Sequence, residues 1–215
     1  CQSELLRATW PRRVHSGRFS VNTAKDIFTR AEQAARKGNL EYAIELYLQG
    51  LTINPKAAEE RQTLHRVEAQ MVENNGGNPA GGVGTKIKAK VSHAKVKQLK
   101  LQKKWDEAVM ALERTILPQP HNTHLLFELA ELLEKIEAPQ SAIAILGDII
   151  QIDKTHVESY RRLGNLLAQE GDPQKAIEAW EKLKMYRPED KEAGKAVRDL
   201  SAATMVNAVE DKKSE

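Results

Sequence analysis

Apolar residues recur at helical spacing along much of the chain, with charged residues between them. Within residues 56–73 they fall on one side of a helix, as do four apolar residues beyond Pro188. The two faces are made by Leu64, Val67, Met71 and Val72, and by Ala193, Ala196, Val197 and Leu200. Long stretches also draw on Ala, Leu, Glu, Lys and Gln, which are good helix formers. The pattern predicts an all-α protein.

One small residue recurs at a fixed interval. Ala108, Ala142 and Ala176 follow one another at intervals of 34 residues, and apolar residues recur around them. This interval is typical of repeats in which each unit is a helix, a turn and a second helix. A small side chain suits the crossing of two helices because it lets their backbones approach closely. The sequence therefore predicts three consecutive helix pairs.

The last of these copies carries the fullest signature. Its residues, in order, are Tyr160, Leu163, Gly164, Leu167, Ala176, Trp180 and Pro188. This order resembles the tetratricopeptide repeat, in which W-x2-L-G-x2-Y is followed by A-x3-F and then by proline. The middle copy has Lys154 at the proline position, and the first of the three has Ser92 and Lys95 at large apolar positions. The resemblance spans residues 24–205 and is most specific over 99–200.

The resemblance implies a tetratricopeptide-type α-solenoid, a right-handed superhelix of antiparallel helix pairs closed by a C-terminal capping helix. The repeats are expected at residues 24–57, 89–122, 123–156 and 157–190. Residues 58–88 are expected to be a degenerate repeat helix followed by a glycine-rich flexible loop at 74–85. Residues 191–205 are expected to form the capping helix. The remaining segments are expected to be a disordered leader or upstream fragment at 1–22 and a disordered tail at 206–215.

The turn of the N-terminal copy matches the turn of the last copy. Gly38 and Asn39 precede the small Ala43, and Gly171 and Asp172 take the same place in the last copy. Glycine can end the first helix in the left-handed conformation, and the following Asn or Asp can cap the second helix. We therefore expect both segments to form the same corner.

Glycine is concentrated at residues 74–85, which read NNGGNPAGGVGT. Glycine and proline at this density disfavour regular structure, so we interpret the segment as a flexible linker at which the array bends. A phosphate-binding loop is the alternative, but it requires G-x4-G-K-[ST]. Here Val83 follows Gly82, and Lys86 comes after Thr85 instead of before it. The spacing therefore excludes that loop.

Residues able to perform catalysis are not grouped in the sequence. Cys1 is the only cysteine, which excludes an internal disulfide and a thiolate metal cluster and suits a reducing compartment. His121 and His124 could share a metal, but no third ligand lies close to them in sequence. No nucleophile and base stand at a catalytic spacing. We expect a non-enzyme with no metal and no cofactor.

The N-terminal segment has a different composition. Residues 1–22 carry four arginines against the single acid Glu4, which favours a disordered leader and leaves a transit peptide as an alternative. Met71 is the first methionine, so we expect Cys1 to be a fragment boundary or a processed terminus, such as that of a lipoprotein. No apolar run approaches the ~20 residues that span a bilayer. We expect a cytoplasmic protein and leave organelle or envelope attachment open.

Charge is nearly balanced overall but locally basic. The chain has 33 basic and 30 acidic residues, so attraction to a polyanion has to be local. Residues 86–104 carry eight lysines and no acid, as an electrostatic adaptor for RNA or an anionic membrane would require. The same pattern fits a solvated helix face, while strict alternation at 86–91 also fits a short strand. Nucleic acid is therefore not the expected partner.

The resemblance implies that a partner binds in a concave groove lined mainly by the first helix of each repeat. By alignment the groove residues are Lys90, His93, Lys97 and Lys100, then His124, Phe127, Glu131 and Glu134, then Glu158, Arg161 and Asn165. The charge runs from basic through acidic to mixed, so a partner with the opposite order would be complementary. Only Asn165 and Arg161 resemble part of the carboxylate clamp of chaperone-binding members. We predict a scaffold or adaptor for a protein or peptide.

Overall fold

The computed structural model describes the backbone of residues 19–76 and 93–214, and the side chains of residues 24–76 and 93–206. The described part contains ten α-helices and no strand. The helices are α1 (Phe19–Arg36), α2 (Leu40–Ile53), α3 (Ala58–Asn74), α4 (His93–Leu101), α5 (Trp105–Ile116), α6 (Thr123–Lys135), α7 (Pro139–Ile152), α8 (Val157–Gln169), α9 (Pro173–Tyr186) and α10 (Lys191–Ser214). The prediction of an all-α protein is confirmed.

Consecutive helices pack against each other to form a solenoid. The pairs α1–α2, α4–α5, α6–α7 and α8–α9 are each joined by a short turn, and α10 packs on α9. One apolar cluster runs through α4 to α8, and a second joins α8, α9 and α10. A third holds α1, α2 and α3 together and includes Met110 and Leu117 from the α5 region. The predicted solenoid with a capping helix is confirmed.

Each helix pair turns at a residue with left-handed backbone. Gly38 and Gly171 have φ of 77° and 80°, as the sequence predicts. Lys103 and Glu137 occupy the same place in their copies and adopt φ of 57° and 56° without being glycine. Asn39 and Asp172 accept hydrogen bonds from the backbone N–H groups of Tyr42 and Lys175, at 3.4 and 3.1 Å. The predicted caps of α2 and α9 are thus confirmed.

Helix α3 connects the N-terminal helices to the rest of the array. It packs against α2 and α7, and its Arg61 reaches Glu113 on α5. Both α5 and α7 are second helices of their pairs, so α3 lies on the side of the array opposite to the first helices α4, α6 and α8. Residues 77–92, with most of the predicted linker and the possible strand at 86–91, lie outside the described residues.

A buried polar network fixes α3 in this place. Arg61 Nε donates to Glu113 Oε1 at 2.7 Å, and Arg61 Nη1 donates to Ser141 Oγ on α7 at 2.9 Å. His65 Nε2 lies 2.9 Å from the second oxygen of Glu113. Arg61, Glu68 and Glu113 are all 0% exposed. One carboxylate thus binds two cationic side chains from α3, and the network ties three helices together.

Burial shapes the ionisation of this network. Burial raises the pKa of Glu68 to about 8, since neither of its oxygens has a hydrogen-bond partner in the described structure. Burial opposes the charged form of His65, yet attraction and a hydrogen bond from Glu113 outweigh it and raise that pKa to about 8. Burial by itself would raise the pKa of Glu113, as it does for Glu68. The positive charges and hydrogen bonds of His65 and Arg61 outweigh this effect and hold the pKa of Glu113 below its ordinary value. Glu113 is therefore the carboxylate that stays charged.

Both terminal helices extend past their expected limits. Helix α1 begins at Phe19, inside the segment 1–22 that was expected to be disordered, and residues 1–18 lie outside the described part. Helix α10 continues to Ser214, which corrects the expectation of a disordered tail at 206–215. After Gly194 the sequence to Ser214 contains no glycine or proline, so nothing in it breaks the helix.

Candidate binding groove

Small residues stand where the helix pairs cross. Ala43, Ala108, Ala142 and Ala176, one on the second helix of each pair, are all 0% exposed. In the last pair, Gly164 of α8 faces the buried Trp180 of α9, and a β-carbon at Gly164 would lie 2.5 Å from the indole Nε1. The small residues and the aromatic of the repeat signature therefore meet at the crossings, as the signature requires. This is a tetratricopeptide-type repeat fold.

Two pockets open along the first helices of the tetratricopeptide-type array. The α4–α6 pocket, of about 680 Å³, lies between α4, α6, α8 and the start of α5. The α6–α8 pocket, of about 270 Å³, lies between α6 and α8. Arg162 lines both of them, so the two pockets adjoin. Together they form a groove along α4, α6 and α8.

The α4–α6 pocket combines an apolar wall with a basic rim. Its lining residues are Lys97, Lys100, Leu101, Trp105, Glu131, Leu132, Lys135 and Arg162. Leu101, the last residue of α4, is 85% exposed. The half-buried Trp105 and the buried Leu132 lie beside it in the lining. Four of the eight residues are cationic and one is acidic, so the pocket attracts negative charge.

The α6–α8 pocket is built around an aromatic ring. Phe127 is half-buried, with the Arg162 guanidinium carbon 5.6 Å from its ring centroid and the His156 ring 5.4 Å away. The other lining residues are Glu134, Glu158, Arg161, Asn165, Leu166 and Gln169. Cation–π contact with Phe127 helps to fix Arg162 between the two pockets. This pocket therefore offers mixed polar groups beside one ring face.

Ion pairs balance much of the charge that the sequence assigned to the groove. Arg162 Nη1 donates to Glu131 at 3.0 Å, and its Nε donates to Glu134. Arg161 binds Asp190 at 2.7 Å and also pairs with Glu192. Arg162 therefore reduces the predicted acidic middle of the groove to one net negative charge, because it pairs with both of its carboxylates.

The basic end of the groove is also partly paired. Glu128 of α6 accepts from Lys100 Nζ at 2.7 Å and lies 2.8 Å from His93 Nε2. Burial opposes ionisation of Glu128, but these two contacts hold its pKa below the ordinary value. Lys97 and Lys135 are exposed and form no ion pair with a described residue. These two lysines therefore keep their positive charge unpaired among the described residues.

The structure brings most of the predicted groove residues together. Lys97, Lys100 and Glu131 line one pocket, while the other is lined in part by Phe127, Glu134, Glu158, Arg161 and Asn165. His93 contacts Glu128 instead of lining a pocket, and His124 is exposed outside both pockets. Lys90 lies outside the described residues.

Sequence reasoning missed seven other residues of this groove. They are Leu101, Trp105, Leu132, Lys135, Arg162, Leu166 and Gln169. Leu101 is the last residue of α4, and Trp105 is the first residue of α5. Helical periodicity identifies Leu101 as apolar, but only the neighbouring helices show that it stays exposed.

The lysine-rich segment does not present one free basic face in the described part. Lys100 is paired with Glu128, and Lys104 lies 3.4 Å from Glu107. Lys86, Lys88 and Lys90 lie outside the described residues. No described helix is both long and apolar enough to cross a membrane. The described residues also contain no group of three His, Cys, Asp or Glu side chains that could hold a metal.

Comparisons with known proteins return structures and no sequence relatives. No protein-family model and no curated protein matches the chain. The MamA protein structure is 19% identical, with 90% of this chain and 93% of that chain covered and a TM-score of 0.40. YrrB, described as a TPR protein with an unusual peptide-binding site, is 16% identical, with 86% and 84% covered and a TM-score of 0.44. A complex of the TPR2AB domain of yeast Sti1 with pHSP90 is 19% identical, with 85% and 69% covered and a TM-score of 0.44.

Proposed function

We propose that this protein is a non-enzymatic scaffold that binds an extended segment of a partner protein along α4, α6 and α8. The observation that carries the proposal is that Arg162 lines both pockets, so the two pockets lie next to each other. Pockets placed one after another along three helices suit an elongated ligand with several side chains. A small metabolite would instead favour a single enclosed cavity.

Arg162, the residue that lines both pockets, and Glu128 beside the groove are held in place before any ligand arrives. Arg162 is fixed by Phe127, Glu131 and Glu134, and Glu128 is fixed by Lys100 and His93. Side chains that are already ordered lose little conformational entropy when a partner binds. The groove is therefore suited to specific recognition of a peptide segment.

A library of random peptides tests this proposal without a known partner. Displayed peptides of about 12 residues, which span ~40 Å when extended, are selected on the full chain. Asn165→Arg places a long cation in the groove, whereas the matched change Gln174→Arg lies on the second helix of the same pair. We expect Asn165→Arg to weaken the selected peptides by about tenfold or more, or ~1.4 kcal/mol, and Gln174→Arg to change affinity by less than about twofold.

Two results would contradict the proposal. In the first, selection returns no peptide whose binding depends on Asn165. In the second, heparin competes with every selected peptide, and binding of the chain to heparin is unchanged by Asn165→Arg. The second result would favour the electrostatic adaptor for RNA or an anionic surface, since that role needs positive charge and no groove.

A further inference from the structure

We propose that the α4–α6 pocket takes one large apolar side chain from an acidic segment of the partner, and that Lys97 and Lys135 pair with carboxylates on either side of it. This inference rests on the proposed function, because it names the chemistry of the segment that the groove binds. Leu101, which is 85% exposed, and the two lysines without a described ion-pair partner lie outside the buried core of the solenoid.

The apolar part of the inference comes from Leu101. This side chain is 85% exposed at the end of α4, where it borders a pocket also lined by Trp105 and Leu132. The pocket volume of about 680 Å³ exceeds that of any single side chain, so a Leu, Met or Phe fits with part of its backbone. Burying such a side chain against Leu101 would remove apolar surface of both partners from water.

The acidic part comes from the cations that remain free. Lys100 is held by Glu128, and Arg162 is held by Glu131 and Glu134. Lys97 and Lys135 line the same pocket, are exposed, and have no ion-pair partner among the described residues. Two free cations at the rim of an apolar pocket favour carboxylates next to an apolar side chain.

Charge also argues against occupation by the chain's own remaining segments. Residues 1–18 contain four arginines and one acid, and residues 77–92 contain three lysines and no acid. Either segment would bring positive charge to a pocket that already has an excess of it. An acidic segment of another protein is therefore the occupant that fits.

Designed peptides test the inference directly. The probe is a labelled peptide of about 12 residues with one central Leu, two Glu on each side, and Ser and Gly elsewhere, acetylated and amidated so that neither end is charged. Its controls replace the Leu by Ser or the four Glu by Lys. Binding to the full chain is measured by fluorescence anisotropy at two salt concentrations, since ion pairs at an exposed rim weaken with salt.

Three protein variants separate the two parts of the site. Leu101→Ser removes the exposed apolar side chain of the pocket, and the double change Lys97→Glu with Lys135→Glu reverses the charges of the two unpaired lysines. The matched control is Lys182→Glu with Lys195→Glu, which changes net charge equally at exposed positions outside the groove. We expect losses of about tenfold or more for the first two proteins and less than about twofold for the control.

The possible results distinguish a failure of this inference from a failure of the proposed function. Random peptides that depend on Asn165, together with no binding of the designed peptide, would overturn the inference and leave the proposed function intact. Equal binding of the Leu and Ser peptides, or equal losses in the two double variants, would also overturn it. Concentration-dependent self-association that Leu101→Ser abolishes would assign the pocket to a second copy of the chain and overturn the stated partner.

Discussion

At Gly164 the backbone of α8 lies directly against the indole ring of Trp180. A β-carbon there would be 2.5 Å from Nε1 and 2.7 Å from Cδ1, and Trp180 is only 1% exposed. Gly147 on α7 offers the opposite case, because a β-carbon at that position would meet nothing within 4 Å. The same chemical change should therefore have opposite effects at the two glycines.

Gly164→Ala should destabilise the protein by about 1–3 kcal/mol, because the added methyl group overlaps Trp180. Gly147→Ala should stabilise it by about 0.5–1 kcal/mol, because alanine is the better helix former and the site is open. Urea unfolding followed by circular dichroism measures both. Equal effects of the two substitutions would show that the contact between α8 and α9 is not as close as the structure indicates.

Glu68 is a buried carboxyl without a hydrogen-bond partner in the described structure. In the folded chain its pKa is about 8, against an ordinary value of 4.5, so the folded state holds its proton more tightly than the unfolded state does. His65 also has a folded pKa of about 8, against 6.5. Both shifts act in the same direction, so they make the folded state less stable as pH rises.

The melting temperature should therefore fall as pH increases through the range from about 4.5 to about 8. Glu68→Gln removes the carboxyl while keeping its shape, so this variant should be more stable than the wild type above about pH 8 and less sensitive to pH. Glu73→Gln, at an exposed position of the same helix, is the control. A melting temperature equally dependent on pH in wild type and Glu68→Gln would contradict the assignment.

At the scale of the element, the ends of the first helices show where local sequence and structure disagree. Gly38 and Gly171 end α1 and α8 with positive φ, which glycine adopts without strain. Lys103 and Glu137 end α4 and α6 in the same conformation, although they carry a β-carbon. The repeat packing therefore imposes the corner on copies whose sequence does not favour it.

Lys103→Gly should stabilise the protein by about 0.5–1 kcal/mol, since relief of the left-handed strain exceeds the extra backbone entropy of glycine in the unfolded chain. Lys182→Gly, in the interior of α9, should instead cost about 1 kcal/mol. Thermal unfolding of the two variants checks the prediction. Destabilisation by Lys103→Gly would mean that its backbone is not left-handed.

At the scale of the molecule, α3 joins two parts of the array that are separated along the chain by the undescribed residues 77–92. Arg61 and Glu113 are 52 positions apart, and Arg61 and Ser141 are 80 apart. Their contacts are buried, so solvent does not screen them. The N-terminal helices are thereby attached to the second helices α5 and α7, and none of their described residues lines the groove on α4, α6 and α8.

Arg61→Ala should cost about 3–5 kcal/mol, because it leaves Glu113 buried with only His65 as a charged partner. Amide hydrogen exchange should speed up in α1 to α3 more than in α8 to α10, since the contact holds the N-terminal helices in place. Arg66→Ala, an exposed change on the same helix, should cost much less. Similar exchange in the two variants would show that the network does not attach these helices.

Part of the groove could be predicted from the sequence. The alignment identified first-helix positions such as Phe127, Glu131 and Asn165, and the structure places these beside the pockets. It did not predict the ion pairs of the groove, because it treated each side chain as free. Whether Arg162 pairs with carboxylates on α6 depends on the distance between α6 and α8. The spacing of residues along one helix gives no information about that distance.

The sequence by itself determined the helical class, the repeat and the two corners that contain glycine. These follow from local rules, since apolar spacing selects a helix and a small residue every 34 positions marks each crossing. The tertiary structure decided which charges are buried and which remain free. Burial depends on contacts between distant helices, so Arg61 and Glu68 became internal while Lys97 and Lys135 stayed exposed, with no ion-pair partner among the described residues.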